Sequence, residues 1–140
     1  MNTTPCPIST TCLGDPLVHA FETATIGPTA FRHREHLYVA WCYLRSMSLE
    51  DALARYVSHL RKLTIALGVP EKFHATMTWA YVVLLHEAMQ ASQFGLSFDD
   101  LLTKNPGLLD HQSGLLHEHY DRAQLQSDEA RRRFVLPRRS

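Results

Sequence analysis

The spacing of the apolar residues is the feature that most constrains how this chain folds. Between the helix-capping Ser48 and the stop signals Gly68 and Pro70, apolar side chains recur every three or four positions, at Leu49, Leu53, Tyr56, Leu60, Leu63 and Leu67. That spacing keeps them on one face of an α-helix. No segment shows the alternation with a period of two that is typical of a half-buried strand. The pattern therefore predicts an all-α protein.

Other segments of the chain carry the same helical periodicity. Together with the stripe just described, they predict four main helices at about residues 30–45, 48–67, 72–94 and 108–124. Short loops join helices of this length, so neighbours in sequence are expected to pack antiparallel to one another. The fold class expected is an up-down four-helix bundle.

The two ends of the chain differ from this helical region. A length of 140 residues fits one domain, and a hydrophobic content of 45% with 20% charged residues is enough to build a core. Residues 1–29 are rich in Thr, Pro and Gly and are expected to form an extended N-terminal arm. Residues 30–134 form the predicted helical bundle domain, and residues 135–140 a short basic C-terminal tail. We expect the chain to fold alone or as a small homo-oligomer.

The sequence also excludes several classes of protein. No apolar run approaches the roughly 18 residues of a membrane-spanning helix, and the first residues lack the basic and apolar regions of a signal peptide. We therefore expect a cytoplasmic protein with no membrane partner. The cysteines at positions 6, 12 and 42 are expected to be reduced thiols, with a disulfide or ligand pair of Cys6 and Cys12 as the alternative. Phosphate-binding glycine loops and hydrolase motifs are missing, which leaves nucleotide-dependent and hydrolase functions without support.

Positive charge is concentrated at the C-terminus. Fourteen Lys and Arg balance fourteen Asp and Glu over the whole chain, but residues 130–140 carry five Arg and no acidic residue. Such a tail is able to dock an acidic partner, so an interaction module with a basic tail is one alternative function. Because the rest of the chain is mildly acidic and a single aromatic residue, Phe134, lies among these arginines, we expect no nucleic-acid binding.

Histidine is the compositional outlier, with nine residues in the chain. A helical projection at 100° per residue separates the histidines into two groups. The apolar faces of the predicted helices carry His33, His36, His74 and His119, with His59 at the margin of its stripe. The other helical histidines fall on polar faces, where an imidazole needs no partner. A histidine on an apolar face must be satisfied, and metal ligation is one way to do so.

The predicted topology brings the four histidines of the apolar faces to one end of the bundle. His33 and His36 lie in the first turns of the first helix, His74 begins the third, and His119 lies near the end of the antiparallel fourth. Four imidazoles in one buried layer cannot all be protonated, because like charges repel strongly there. A bound cation removes this difficulty. We therefore predict a metal site with an all-histidine ligand set.

Ligand type narrows the choice of metal and of reaction. Ferritin-like di-iron bundles use two Glu-x-x-His motifs, whereas this chain has that spacing only once, from Glu71 to His74. Imidazole-rich sites suit Cu or Fe, with Zn as the alternative. The sequence predicts an oxidase or oxygenase acting on a small-molecule substrate, in which Thr78 and Tyr81 orient substrate or bound water as catalytic residues. A non-catalytic metal-binding or metal-stabilised protein is the alternative, favoured if His119 closes the ligand shell.

Three segments also carry a family resemblance: FRHREHLYVAWCYL, KFHATMTWAY and SDEARRRFVLP. Together they resemble a family of small, uncharacterised bacterial helical proteins. That family has the motifs H-x-x-H-L-x-x-A-W, Y/F-H-x-T-x-T and A-R-x-x-F-V-x-P. The similarity covers most of residues 31–137. It implies no activity, and it directs attention to the residues that match the motifs: His33, His36, His74, Thr76 and Thr78.

Overall fold

The structure is a computed structural model that describes residues 14–27, 29–92, 95–110 and 115–137. Within these ranges the regular elements are helices and no strand occurs, which confirms the all-α class. The α-helices are α1 Pro16–Glu22, α2 His33–Ser46, α3 Leu49–Ala66, α4 Ala75–Ala91, α5 Phe98–Lys104, α6 Leu115–His119, α7 Arg122–Leu125 and α8 Asp128–Arg132. Short 3₁₀ turns lie at Pro70–Lys72 and Pro106–Leu108. None of the helices in these ranges is long and apolar enough to cross a membrane.

The chain divides into two compact units, Met1–Pro70 and Glu71–Ser140. In the first unit, α2 and α3 pack against each other and are joined by Met47 and Ser48, and α1 packs against both helices. The Ser48 hydroxyl caps α3 by accepting a 3.1 Å hydrogen bond from the backbone N–H of Asp51. The bounds of α2 and α3 confirm the first two predicted helices to within a few residues.

Helix α1 overturns part of the expected N-terminal arm. The segment from Pro16 to Glu22 is helical, not extended. Its start is stabilised because the Asp15 carboxylate accepts a 2.7 Å hydrogen bond from the N–H of Leu17, and proline suits the first helical position. Its buried side chains, Val18 and Phe21, have no exposed surface. The expectation of an extended conformation is therefore wrong over these residues.

The second unit is built around α4. This helix confirms the third predicted helix, and its buried face includes Ala80, Val82, Leu85 and Ala88. Helices α6 and α8 pack against α4, and α7 contacts α8.

The expected continuous helix over residues 108–124 is wrong. Leu108 ends a 3₁₀ turn, and the following helical residues belong to two short helices, α6 and α7. Tyr120 and Asp121 separate these helices, because the Asp121 carboxylate accepts a 2.7 Å hydrogen bond from the N–H of Gln124 and so begins a new helix. Residues 111–114 lie outside the described part of the chain.

Candidate functional site

The first two candidate ligands lie together at the beginning of α2. Glu35 supports this end of the helix, because its carboxylate accepts a 3.0 Å hydrogen bond from the backbone N–H of Arg32. His33 and His36 are three residues apart on one side of this helix, and both are half-buried. The helix start therefore places the two imidazoles next to each other, as the sequence predicted.

His36 is held in place by a residue from α3. Its Nδ1 lies 2.9 Å from the hydroxyl oxygen of Tyr56, a buried side chain 20 positions further along the chain. Burial lowers the pKa of His36 to about 4, and the neighbouring His33 adds to the effect. The ring is consequently neutral at pH 7.

A neutral, oriented imidazole has the properties of a metal ligand. When Nδ1 carries the proton and donates a hydrogen bond to the oxygen of Tyr56, the free lone pair of the His36 ring is on Nε2. Metal-binding histidines are commonly oriented through their second nitrogen in this way. His33 and His36 therefore offer two imidazole ligands of the kind that Cu, Fe and Zn ions bind.

Aromatic side chains surround His36 within the first unit. The ring of Phe31 lies 4.1 Å from the ring of His36, measured between centroids. Phe21 of α1 stacks on Phe31 at 5.2 Å and on Tyr56 at 5.4 Å. Phe31 thus lies directly against His36, and Phe21 packs on Phe31 and on Tyr56. We call Phe21 and Phe31 the aromatic cover.

Helix α1 is fastened at both ends by carboxylates. At its start, the Tyr38 hydroxyl donates a 2.6 Å hydrogen bond to Asp15. At its end, the Glu22 carboxylate accepts hydrogen bonds from the Tyr43 hydroxyl and from two nitrogens of Arg55, at 2.7 and 3.0 Å. Burial alone raises the pKa of Glu22, but the hydrogen bonds from Arg55 and Tyr43 outweigh it and leave that pKa below its usual value.

His59 lies beside the same carboxylate. Its Nε2 is 3.9 Å from an oxygen of Glu22, and its buried Nδ1 has no hydrogen-bond partner among the described residues. Burial lowers the pKa of His59 more than the charge of Glu22 raises it, and the cationic Lys62 and Arg55 lower it further. The sequence placed His59 at the edge of the candidate metal site, and the structure places it beside the carboxylate of Glu22.

His74 serves as the N-cap of α4. Its Nδ1 accepts a 3.1 Å hydrogen bond from the N–H of Met77, so Nε2 carries the proton and donates to the carbonyl of Leu125 at 2.6 Å. Burial is the main reason that the pKa of His74 lies below its usual value. Because backbone groups engage both ring nitrogens, the predicted ligand role requires one of these hydrogen bonds to break.

The other motif residues of α4 also have structural partners. Thr78 donates a 2.7 Å hydrogen bond to the carbonyl of His74, and Thr76 bonds to the backbone near the C-terminus. Tyr81 is buried, and its burial together with the charge of Asp110 raises the pKa of its hydroxyl to about 12. Tyr81 is therefore protonated at neutral pH, and the catalytic roles of Thr78 and Tyr81 stay predictions.

His119 does not lie where the helical projection put it. The expected apolar-face position is wrong, because His119 is exposed at the end of α6. The projection assumed one regular helix up to Gln124, and the break after α6 removes its basis. Counting only residues that the structure describes, no three His, Cys, Asp or Glu side chains are grouped so that they could hold a metal ion.

Sequence reasoning missed the residues that position His36 and α1. Tyr56 appeared only as one member of an apolar stripe, and Glu22 fell in the segment expected to be extended. The Asp15–Pro16 pair was a usable signal, since it matches an N-cap followed by proline at the first helical position. Comparison with known proteins adds no further constraint: no protein-family model, curated protein or solved structure matches the chain.

Proposed function

We propose that this chain is a small transition-metal-binding protein that takes Cu or Fe, with Zn as the alternative, through His33 and His36. The observation that carries the proposal is the contact between Nδ1 of His36 and the hydroxyl of Tyr56 at 2.9 Å. This contact fixes the ring, and when Nδ1–H donates to Tyr56 the lone pair of His36 is left on Nε2 for a metal ion. The low pKa of His36 supports the proposal, because a neutral imidazole binds a cation without first losing a proton.

Two protein ligands leave coordination positions for water or for a small-molecule substrate. Open positions are the requirement for the oxidase or oxygenase activity predicted from the sequence. A bound metal would supply electron transfer or polarisation of a ligand. His33 and His36 would hold it, Tyr56 would orient His36, and the aromatic cover would limit the access of water.

Metal titration of the purified protein tests the proposal. Isothermal titration calorimetry with Cu(II) and with Zn(II) should give a saturable site in the wild-type protein. We expect His33→Gln and His36→Gln to weaken binding by at least about tenfold, and Tyr56→Phe by roughly tenfold, the usual cost of losing an outer hydrogen bond to a ligand.

The control variant for this titration is His86→Gln. His86 is also a half-buried helical histidine, and its Nε2 lies 3.4 Å from Nε2 of Gln90. The His86→Gln variant should bind metal with the same affinity as the wild-type protein. Unchanged metal affinity in both His33→Gln and His36→Gln would contradict the proposal.

Thermal unfolding separates the catalytic from the non-catalytic alternative. If the metal only stabilises the fold, its removal should lower the unfolding midpoint strongly, because binding free energy then appears as folding free energy. If positions remain open for substrate, azide should perturb the spectrum of a copper-loaded sample.

Several expectations from the sequence stay predictions. They are the up-down four-helix arrangement, the domain bounds 30–134, the cytoplasmic location, the absence of nucleic-acid binding and the resemblance to the bacterial family.

A further inference from the structure

The backbone of the segment that follows α8 is held by side chains from elsewhere in the second unit. The chain leaves α8 at Arg133 in an extended conformation and continues without regular secondary structure to Pro137. The hydroxyl of Thr76 is at the centre of the arrangement. It donates a 2.9 Å hydrogen bond to the carbonyl of Arg133 and accepts a 3.1 Å hydrogen bond from the N–H of Val135.

Two more buried side chains bind the next peptide groups. The hydroxyl of Tyr120 donates a 2.6 Å hydrogen bond to the carbonyl of Val135. The amide nitrogen of Gln124 donates a 2.8 Å hydrogen bond to the carbonyl of Leu136. Among the described residues, tyrosines aside, Thr76 and Gln124 are the buried polar side chains, and such side chains need hydrogen-bond partners. Both of them bond to the backbone of this one segment.

One aromatic contact completes the set. The ring of Phe134 stacks on Trp79 of α4 with centroids 5.1 Å apart and an interplanar angle of 21°. We call Thr76, Trp79, Tyr120 and Gln124 the cradle. The cradle contacts four backbone groups and one aromatic ring, whereas the side chain of Leu136 remains 75% exposed.

We infer that the cradle is a peptide-recognition site and that residues 133–136 are its resident but separable ligand. Its partner in trans is the same segment of a second copy of this chain. Main-chain hydrogen bonds supply affinity for a peptide of any sequence, and a side-chain contact supplies selectivity. Here the selective contact is the stacking of an aromatic residue on Trp79.

The segment is separable because little apolar surface holds it. Phe134 and Val135 are only half-buried and Leu136 is largely exposed, so most of its attachment consists of hydrogen bonds. Each such bond contributes little net free energy, because water replaces the protein partner when the segment leaves. Opening of the segment is therefore expected without unfolding of the helices.

A peptide in trans tests this inference on the full-length chain. The probe is a synthetic peptide with the sequence of residues 133–137, RFVLP, titrated into the Phe134→Ala variant and followed by Trp fluorescence. This variant keeps the whole cradle but weakens the resident segment. We expect saturable binding, at least about tenfold tighter than to the wild type, whose tethered segment competes at a high effective concentration.

Two controls make the result specific. The same peptide with alanine in place of phenylalanine should bind at least about tenfold more weakly. The double variant Thr76→Val with Phe134→Ala should not bind the RFVLP peptide detectably. An absence of binding at millimolar peptide to a Phe134→Ala protein with wild-type circular dichroism would overturn the inference.

Hydrogen exchange on the wild-type chain gives a second measurement that does not depend on any variant. The amide of Val135 bonds to Thr76, and that of Leu85 lies within the buried face of α4. We expect the Val135 amide to exchange at least about a hundredfold faster than the Leu85 amide, through local opening. Equal protection, with both amides exchanging only through global unfolding, would contradict separability.

Discussion

The hydroxyl of Tyr38 donates a 2.6 Å hydrogen bond to Asp15, the residue that also caps α1. One oxygen of this carboxylate therefore begins a helix, and the other attaches that helix to α2. Glu22 provides the matching attachment at the far end of α1, through Tyr43 and Arg55. The two carboxylates explain how a helix of only seven residues remains in place and holds Phe21 of the aromatic cover against Phe31.

Glu22→Gln should destabilise the protein, and the loss should depend on pH. The folded-state pKa of Glu22 is lowered, so its ionised form contributes stability above the usual pKa of a glutamate, near 4.3. That contribution disappears as the pH falls through the folded-state pKa. Urea unfolding at pH 7 should show a loss of roughly 1–3 kcal/mol in the variant, and the difference from wild type should shrink below about pH 4.

Glu50→Gln is the matched control for this experiment. Glu50 lies in the first turn of α3 and is exposed. Its substitution should change the free energy of unfolding by no more than about 0.5 kcal/mol. A difference between wild type and Glu22→Gln that stays constant from pH 7 to pH 3 would mean that the ionised carboxylate is not the source of the stability.

His36 should make the protein less stable in mild acid. Its folded-state pKa of about 4 lies below the unfolded value of about 6.5, so the unfolded chain takes up a proton that the folded chain does not. The free energy of unfolding should therefore fall as the pH decreases from about 6.5 to about 4, by roughly 3 kcal/mol at most. Metal-free His36→Gln should lose this part of the pH dependence, whereas His86→Gln should keep it. Identical pH profiles for wild type and His36→Gln would exclude the mechanism.

His74 should matter for stability in the absence of any metal. It caps α4 through Nδ1 and donates through Nε2 to Leu125, so His74→Ala removes two hydrogen bonds. We expect a loss of about 1–2 kcal/mol in urea unfolding of metal-free protein. His74→Asn should recover part of it, because asparagine is a favourable N-cap. Full stability in His74→Ala, combined with loss of metal binding, would instead support the predicted role as a ligand.

The elements that the sequence predicted well are those whose signals are local. Helices α2 and α3 follow from long apolar stripes with a serine cap between them, and the proximity of His33 and His36 follows from their spacing on one helix. The contact of His36 with Tyr56 joins residues 20 positions apart and depends on how α2 packs on α3, which periodicity does not specify. Likewise, the break at Asp121 replaced the expected fourth helix because one side chain caps a new helix there.

Exposure of His36 should increase when the aromatic cover is thinned. Phe31 lies against the ring of His36 and supports the stacked Phe21, so Phe31→Leu removes an aromatic ring but keeps an apolar side chain. Modification by diethylpyrocarbonate, followed by mass spectrometry, reports the accessibility of each histidine without any metal. We expect His36 to react several-fold faster in Phe31→Leu than in wild type, and the exposed His119 to react at the same rate in both. Phe98→Leu, a substitution of a buried phenylalanine in the second unit, controls for general loosening of the protein. If His36 reacts equally slowly in wild type and Phe31→Leu, Phe31 does not limit access to the ring, and the cover assigned to Phe21 and Phe31 is wrong.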